Sequence, residues 1–176
     1  MTITAPKLIE GTHYRRLSVK EGNGKYRFET LVPLDYSFDC SIIPPGSTRS
    51  FRSIGSDGVE RVWLFLRSRL LTIPAGYRWN GNSYKLGLRV LGLFDWWIGT
   101  PDFIKTIPAS LPHDAIYQFS ALKEMPFTLA QANAIYEQIC RQNSFALTST
   151  YKGALDDFSV SSWAKPEPGA RCVTTS

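Results

Sequence analysis

Apolar and polar positions in the first part of the chain alternate in short runs separated by turn chemistry, the period of half-buried strands. His13 to Lys20 and Lys25 to Val32 flank Glu21-Gly22-Asn23-Gly24, where glycine and asparagine accept positive φ, so the two runs predict a hairpin. Leu34 to Ile43 stops at Pro44-Pro45-Gly46, which cannot continue a central strand. Ser47 to Gly58 is polar and predicts a loop. Val59 to Leu66 and Arg69 to Ile73, joined by Arg67 and Ser68, are rich in β-branched and large apolar residues and predict two more strands. An antiparallel sheet of about four or five strands follows.

The period then changes. Ser110 predicts the cap of a helix beginning at Leu111, with Pro112 tolerated in the first turn and Leu111, Ala115 and Leu122 on the inner face. Thr128 and Gln131 have capping-box spacing, and Leu129, Ala132, Tyr136, Ile139 and Cys140 share one face of the helix they open. A third helix, from about Thr150 to Trp163, would bury Tyr151, Ala154, Leu155 and Phe158, although Gly153 weakens it. The pattern predicts an α+β fold, with an antiparallel sheet in the N-terminal half followed by about three helices. It forms one globular domain over 1–163, and residues 164–176 read as a flexible tail.

Leu86 to Ile98 is apolar except for Arg89 and Asp95, and its thirteen residues are too few to span a bilayer. A helix or loop laid across the sheet accounts for it. The alternative is a docking segment that meets a partner or a lipid surface through Trp96 and Trp97.

Composition narrows the functional classes. With 43% hydrophobic and 13% aromatic residues in 176, the chain can bury a core without disulfides. The net charge of +5 comes from scattered basic pairs, so nucleic-acid binding has no support. Cys40, Cys140 and Cys172 suggest neither a disulfide framework nor a zinc site, and reduced, mostly buried thiols are expected. His13 and His113 are too few for a multi-histidine zinc centre. Met1 to Gly11 lacks the pattern of a signal peptide, and no transmembrane segment is expected.

The concentrated chemistry is His113-Asp114. At a helix start the macrodipole would disfavour imidazolium and favour carboxylate, leaving His113 a proton acceptor beside an ionised Asp114. Tyr117, one turn on, shares the histidine's face. A buried histidine satisfied by backbone, with Asp114 merely helping the helix to start, accounts for the same residues. Trp79-Asn80-Gly81-Asn82-Ser83 reads as a positive-φ turn facing the His113 helix.

Three stretches in order, Ile73-Pro-Ala-Gly-Tyr-Arg-Trp-Asn-Gly-Asn-Ser83, Ala109-Ser-Leu-Pro-His-Asp-Ala-Ile-Tyr117 and Gln131-Ala-Asn-Ala-Ile-Tyr136, resemble the successive blocks of a phage and bacterial family catalogued as domain of unknown function 1353. Tyr151 to Trp163 is similar to that family's last aromatic helix. The resemblance implies a phage or prophage origin, a strand-then-helix fold, and residence in the host cytoplasm or the virion. This chain has Asn80 and Asn133 where the family commonly has aspartate.

The His-Asp-x-x-Tyr pattern is also similar, more loosely, to phospholipase A2. That likeness implies His113 as general base, Asp114 as calcium ligand, Tyr117 as orienter and Asn133 as an altered partner, with the 79–83 turn supplying carbonyls. Two amides in place of carboxylates would weaken calcium binding, because affinity rises with ligand charge. The expectation is a phage-encoded protein with a hydrolase-like, degraded His-Asp site. The alternative is a non-enzymatic virion, tail-associated or host-interaction protein.

Overall fold

The computed structural model describes residues 1–55, 58–81, 85–90, 94–99, 104–158, 163–165 and 167–175. Its elements run β1 (Ile3–Thr4), β2 (Tyr14–Arg16), β3 (Phe28–Thr30), β4 (Leu34–Phe38), β5 (Thr48–Ile54), β6 (Glu60–Arg67), β7 (Leu70–Ile73), β8 (Arg78–Trp79), β9 (Lys85–Val90), β10 (Phe94–Gly99), α1 (Ile107–Gln118), α2 (Leu129–Gln142), α3 (Thr148–Phe158) and β11 (Arg171–Thr175). The fold is α+β, with strands first and three helices after them among the described residues. The main sheet has the order β1-β4-β7-β6-β5-β11, and a smaller one the order β2-β3-β8. Every ladder in both is antiparallel.

Strand β4 shows how the sheet acquires its dry face. Leu34, Tyr36 and Phe38 are buried while Asp35 and Ser37 are exposed, as a period of two requires. The helical half covers that face: Phe119, just past α1, meets Phe51 at 5.5 Å and Phe127, just before α2, meets Phe38 at 5.8 Å between ring centroids. The predicted hairpin is present as β2 and β3, with Asn23 and Gly24 at positive φ (50° and 67°) in the connecting loop.

Four expectations are corrected. The polar stretch 47–58, expected as a loop, contains β5; there only Phe51 and Ser53 are buried, so alternation leaves almost no apolar signature. The C-terminal stretch expected as a flexible tail contains β11, which pairs with β5 from Arg171↔Arg52 to Thr175↔Thr48. Leu86 to Ile98, expected as a helix or loop, is the hairpin β9–β10, its register setting Leu86 opposite Ile98, Leu88 opposite Trp96 and Val90 opposite Phe94. Alternation at those positions explains the strand, and the side chains that its docking role needs lie outside what is described. The thiols are not mostly buried: Cys140 is, but Cys172 is half-buried and Cys40 exposed.

Helix α2 has its full capping box, with Gln131 N donating to Thr128 Oγ1 (3.3 Å) and Thr128 N to Gln131 Oε1 (2.8 Å). Helix α1 begins earlier than its sequence suggested, at Ile107 after Thr106, with Pro108 in the first turn. Ser110, expected as the cap, sits inside the helix, where Oγ donates to Ile107 O (3.0 Å) and accepts from Trp79 Nε1 (3.1 Å).

Pro112 therefore lies mid-helix without an amide proton for the carbonyl four residues back, which belongs to Pro108. The fully buried Tyr36 hydroxyl donates to that carbonyl instead, at 3.1 Å. Burial pushes this phenol well above its ordinary pKa, so it stays a donor. Tyr36→Phe is expected to destabilise the fold by about 1–3 kcal/mol in urea unfolding, and by less in a Pro112→Ala background, whose new amide can answer the carbonyl. Equal losses in both backgrounds would show that the hydroxyl does not serve this gap.

Candidate functional site

The small sheet positions the site. Trp79 is buried against Phe28 (5.2 Å) and Tyr14 (6.2 Å), and its bond to Ser110 clamps β8 to α1. Immediately beyond it Gly81 takes φ 74°, the left-handed turn expected of asparagine-glycine. The turn thus faces α1, as expected, although Asn82 and Ser83 lie outside the described residues.

His113 is not at a helix start. With α1 opening at Ile107, it lies almost two turns in, beyond the reach of the macrodipole, which fades within the first turn. Its ring is 1% exposed, against Tyr117 (4.4 Å) and Tyr136 (5.5 Å). Nε2 lies 3.1 Å from Asn133 Oδ1, and Nδ1 lies 3.7 Å from Asp114 Oδ1.

The direction of the first bond follows from its far end. Asn133 Nδ2 donates to Asp156 Oδ1 at 2.9 Å, and Asp156 is paired with Lys152. Burial alone would raise the Asp156 carboxyl, but the bonds from Lys152 and Asn133 outweigh it and hold the group below its ordinary value. An ionised carboxylate only accepts, so the asparagine must present its amide nitrogen to Asp156 and its oxygen to His113. Nε2 therefore carries a proton and donates. The Tyr117 hydroxyl donates to the same oxygen at 3.4 Å. The histidine is satisfied by a side-chain amide, where backbone was the expected partner.

A cleft of about 300 Å³ opens between the turn and α1, lined by Trp79, Asn80, Asp114 and Tyr117 together with Lys25 and Arg78. His113 lies behind this lining, because adjacent helical residues point about 100° apart. The structure thus brings Asn80, Asp114 and Tyr117 to one surface, which the buried Trp79 lines from below, and buries His113 and Asn133 (1% exposed each). Tyr77 also faces the cleft. Burial, then the charges of Asp114, Tyr26 and Glu167, raise its phenol well above the ordinary value. Its spacing of two from Trp79 on one strand run was a legible signal. Lys25 and Glu167 had none, because only folding brings the hairpin loop and the C-terminal segment here.

Calcium takes six to eight oxygens and binds tighter as ligand charge rises. Among the described residues no three His, Cys, Asp or Glu side chains cluster as a metal group. The described lining of the cleft carries the cations Lys25 and Arg78 as well as Asp114. Compared with family models, curated proteins and solved structures, the chain matches none.

Two outcomes are expected. Asn133→Leu leaves the His113 proton without its acceptor and should cost about 1–3 kcal/mol in urea unfolding. In the wild type, imidazole ¹⁵N spectra should show a protonated Nε2; a bare Nε2 would reverse the direction of this bond.

The second concerns Glu29, which accepts from Arg78 Nε (2.8 Å) and Arg15 Nε (2.7 Å). Burial would raise its carboxyl, but these two guanidinium bonds hold it below the ordinary value. A carboxyl lowered on folding stabilises above its unfolded pKa, about 4.3, and its contribution is lost as pH falls through the folded value. Glu29→Gln should cost about 1 kcal/mol at neutral pH and converge on wild type in acid, as read by denaturation at both. An undiminished gap in acid would assign its role to shape.

Proposed function

We propose that this protein is a binding domain that holds a polar ligand in the cleft between the Asn80 turn and α1, with His113 as a buried strut beneath it. The supporting observation is that the imidazole is 1% exposed and commits its Nε2 proton to Asn133, while Asp114 and Tyr117 meet the cleft. A general base must come within about 2.6–3.2 Å of the proton it removes, directly or through one water. His113 is turned inward at one nitrogen and toward Asp114 at the other.

A second reading, the hydrolase-like site, draws on the 3.7 Å approach of His113 Nδ1 to Asp114 Oδ1. In that version the Asp114 carboxylate would meet water at the cleft, and His113 would act through it as a positioning residue. A phage origin, and a place in the virion or the infected cell, are supported by the motif resemblance alone. Docking of a phage or host protein on Leu86 to Ile98 is supported by the hairpin register, which sets apolar residues opposite one another. Among the described residues no helix is long and apolar enough to cross a membrane.

p-Nitrophenyl esters, p-nitrophenyl glycosides and phosphatidylcholine vesicles, each with and without calcium, separate the two readings. The expected result is no turnover that His113→Gln removes. Turnover that falls about 10²-fold in His113→Gln, in protein whose thermal unfolding shows it folded, would replace binding by catalysis.

A further inference from the structure

A second cleft of about 630 Å³ adjoins the first, sharing Lys25, Tyr26, Tyr77, Arg78, Gln118 and Glu167 with it. Its volume lies within the range of about 300–1,000 Å³ typical of small-ligand sites. It runs between the two sheets, from Glu29 and Arg78 on one side to Arg61 and Trp63 on the other. The Gln118 amide crosses its floor to Ser53 Oγ (3.2 Å). No candidate residue from the sequence points to it.

The remaining wall is the C-terminal segment. Before the wall, Trp163 meets Tyr117 edge-on at 4.9 Å and Ala164 N donates to Ser120 Oγ at 2.9 Å. After it, β11 joins β5, and Arg171 grips Glu60 with two bonds of 2.7 Å. Glu167 and Pro168 line the cleft between these two anchorages.

The chemistry of the lining selects a ligand class. Across the two clefts Lys25, Arg61 and Arg78 stand against Glu29, Glu167 and Asp114, so the groove has no surplus charge. The charges are also engaged locally: Arg78 with Glu29 (2.8 Å), Arg61 over the Trp63 ring (5.9 Å) and Lys25 over the Tyr26 ring (4.9 Å). A nucleic acid would need uncompensated cations, and a lipid tail would need a lining free of the charged groups that stand here. Trp63 and Tyr77 meet edge-on (6.0 Å, 67°) to make an apolar corner, and amide, carboxylate and guanidinium groups surround it. Such a surface complements a chain of rings that are apolar on their faces and rich in hydroxyls at their edges.

We propose that the cleft bounded by Trp63, Tyr77 and the Glu167 segment is a binding site for an uncharged oligosaccharide, extending into the Asp114 cleft. The inference rests on the reading of the domain as a binding module. Chitotetraose, cellotetraose and maltotetraose are titrated into the full chain by tryptophan fluorescence and ¹H–¹⁵N spectra, beside a heparin tetrasaccharide, an oligothymidylate and a mixed tetrapeptide pool.

At least one neutral tetrasaccharide should bind saturably and shift the Trp63 indole, and the polyanions should not. Affinity should fall by about tenfold or more in Trp63→Ala and in Glu167→Ala, the latter guarding against a folding defect in the former. Neutral sugar binding that survives both variants but is lost in Asp114→Asn would overturn the inference while leaving the binding reading of the smaller cleft standing. Binding only of peptide or polyanion, or of none of the three neutral sugars, would also overturn it.

Discussion

The side-chain amide of Asn133 is the point on which the helical half depends. It accepts from His113 and Tyr117 of α1 and donates to Asp156 of α3, so one residue of α2 joins three helices. At His113 and Asn133 the environment is nearly dry, and a polar group left unanswered there costs more than a solvated bond gains. The arrangement is directional as well. Asp156 cannot donate, which fixes the amide, which in turn fixes the imidazole proton.

That network faces inward, and its orientation decides what the outer surface offers. α1 is held on its other sides by the Tyr36 hydroxyl at Pro108 and by Trp79 at Ser110, so its rotation about its own axis is set. Once His113 points to Asn133, Asp114 is carried round toward the Asn80 turn. The adjacent pair that looks like a single chemical unit in the sequence is thereby divided, one member becoming part of the core and the other part of a cleft.

The larger cleft lies between the two sheets. Each sheet satisfies its own ladders, and the gap between them is bridged by side chains such as Gln118 to Ser53 and closed by the C-terminal segment. With Lys25, Arg61 and Arg78 set against Glu29, Glu167 and Asp114 across the two clefts, the lining is charged in detail but balanced in sum. Balance of this kind favours ligands recognised by hydrogen bonds and ring faces over ligands recognised by charge.

Signals confined to neighbouring residues were legible in the chain itself: the capping box at Thr128, the Asn23-Gly24 turn, the Pro44-Pro45 stop and the alternation of β4. Each works through backbone geometry within a few residues, so the local sequence carries its full physical cause. The edge pairing of β5 with β11, the onset of α1 at Ile107 and the burial of His113 were not legible. β5 buries only Phe51 and Ser53, so its strand period leaves no apolar run to read. Ser110 has the chemistry of a cap but is used by Trp79, and an imidazole has the same composition whether it faces water or an amide from another helix. Sequence determined which local elements could form and which groups could do chemistry; tertiary packing alone decided which of those groups meet solvent, because burial depends on residues distant in the chain.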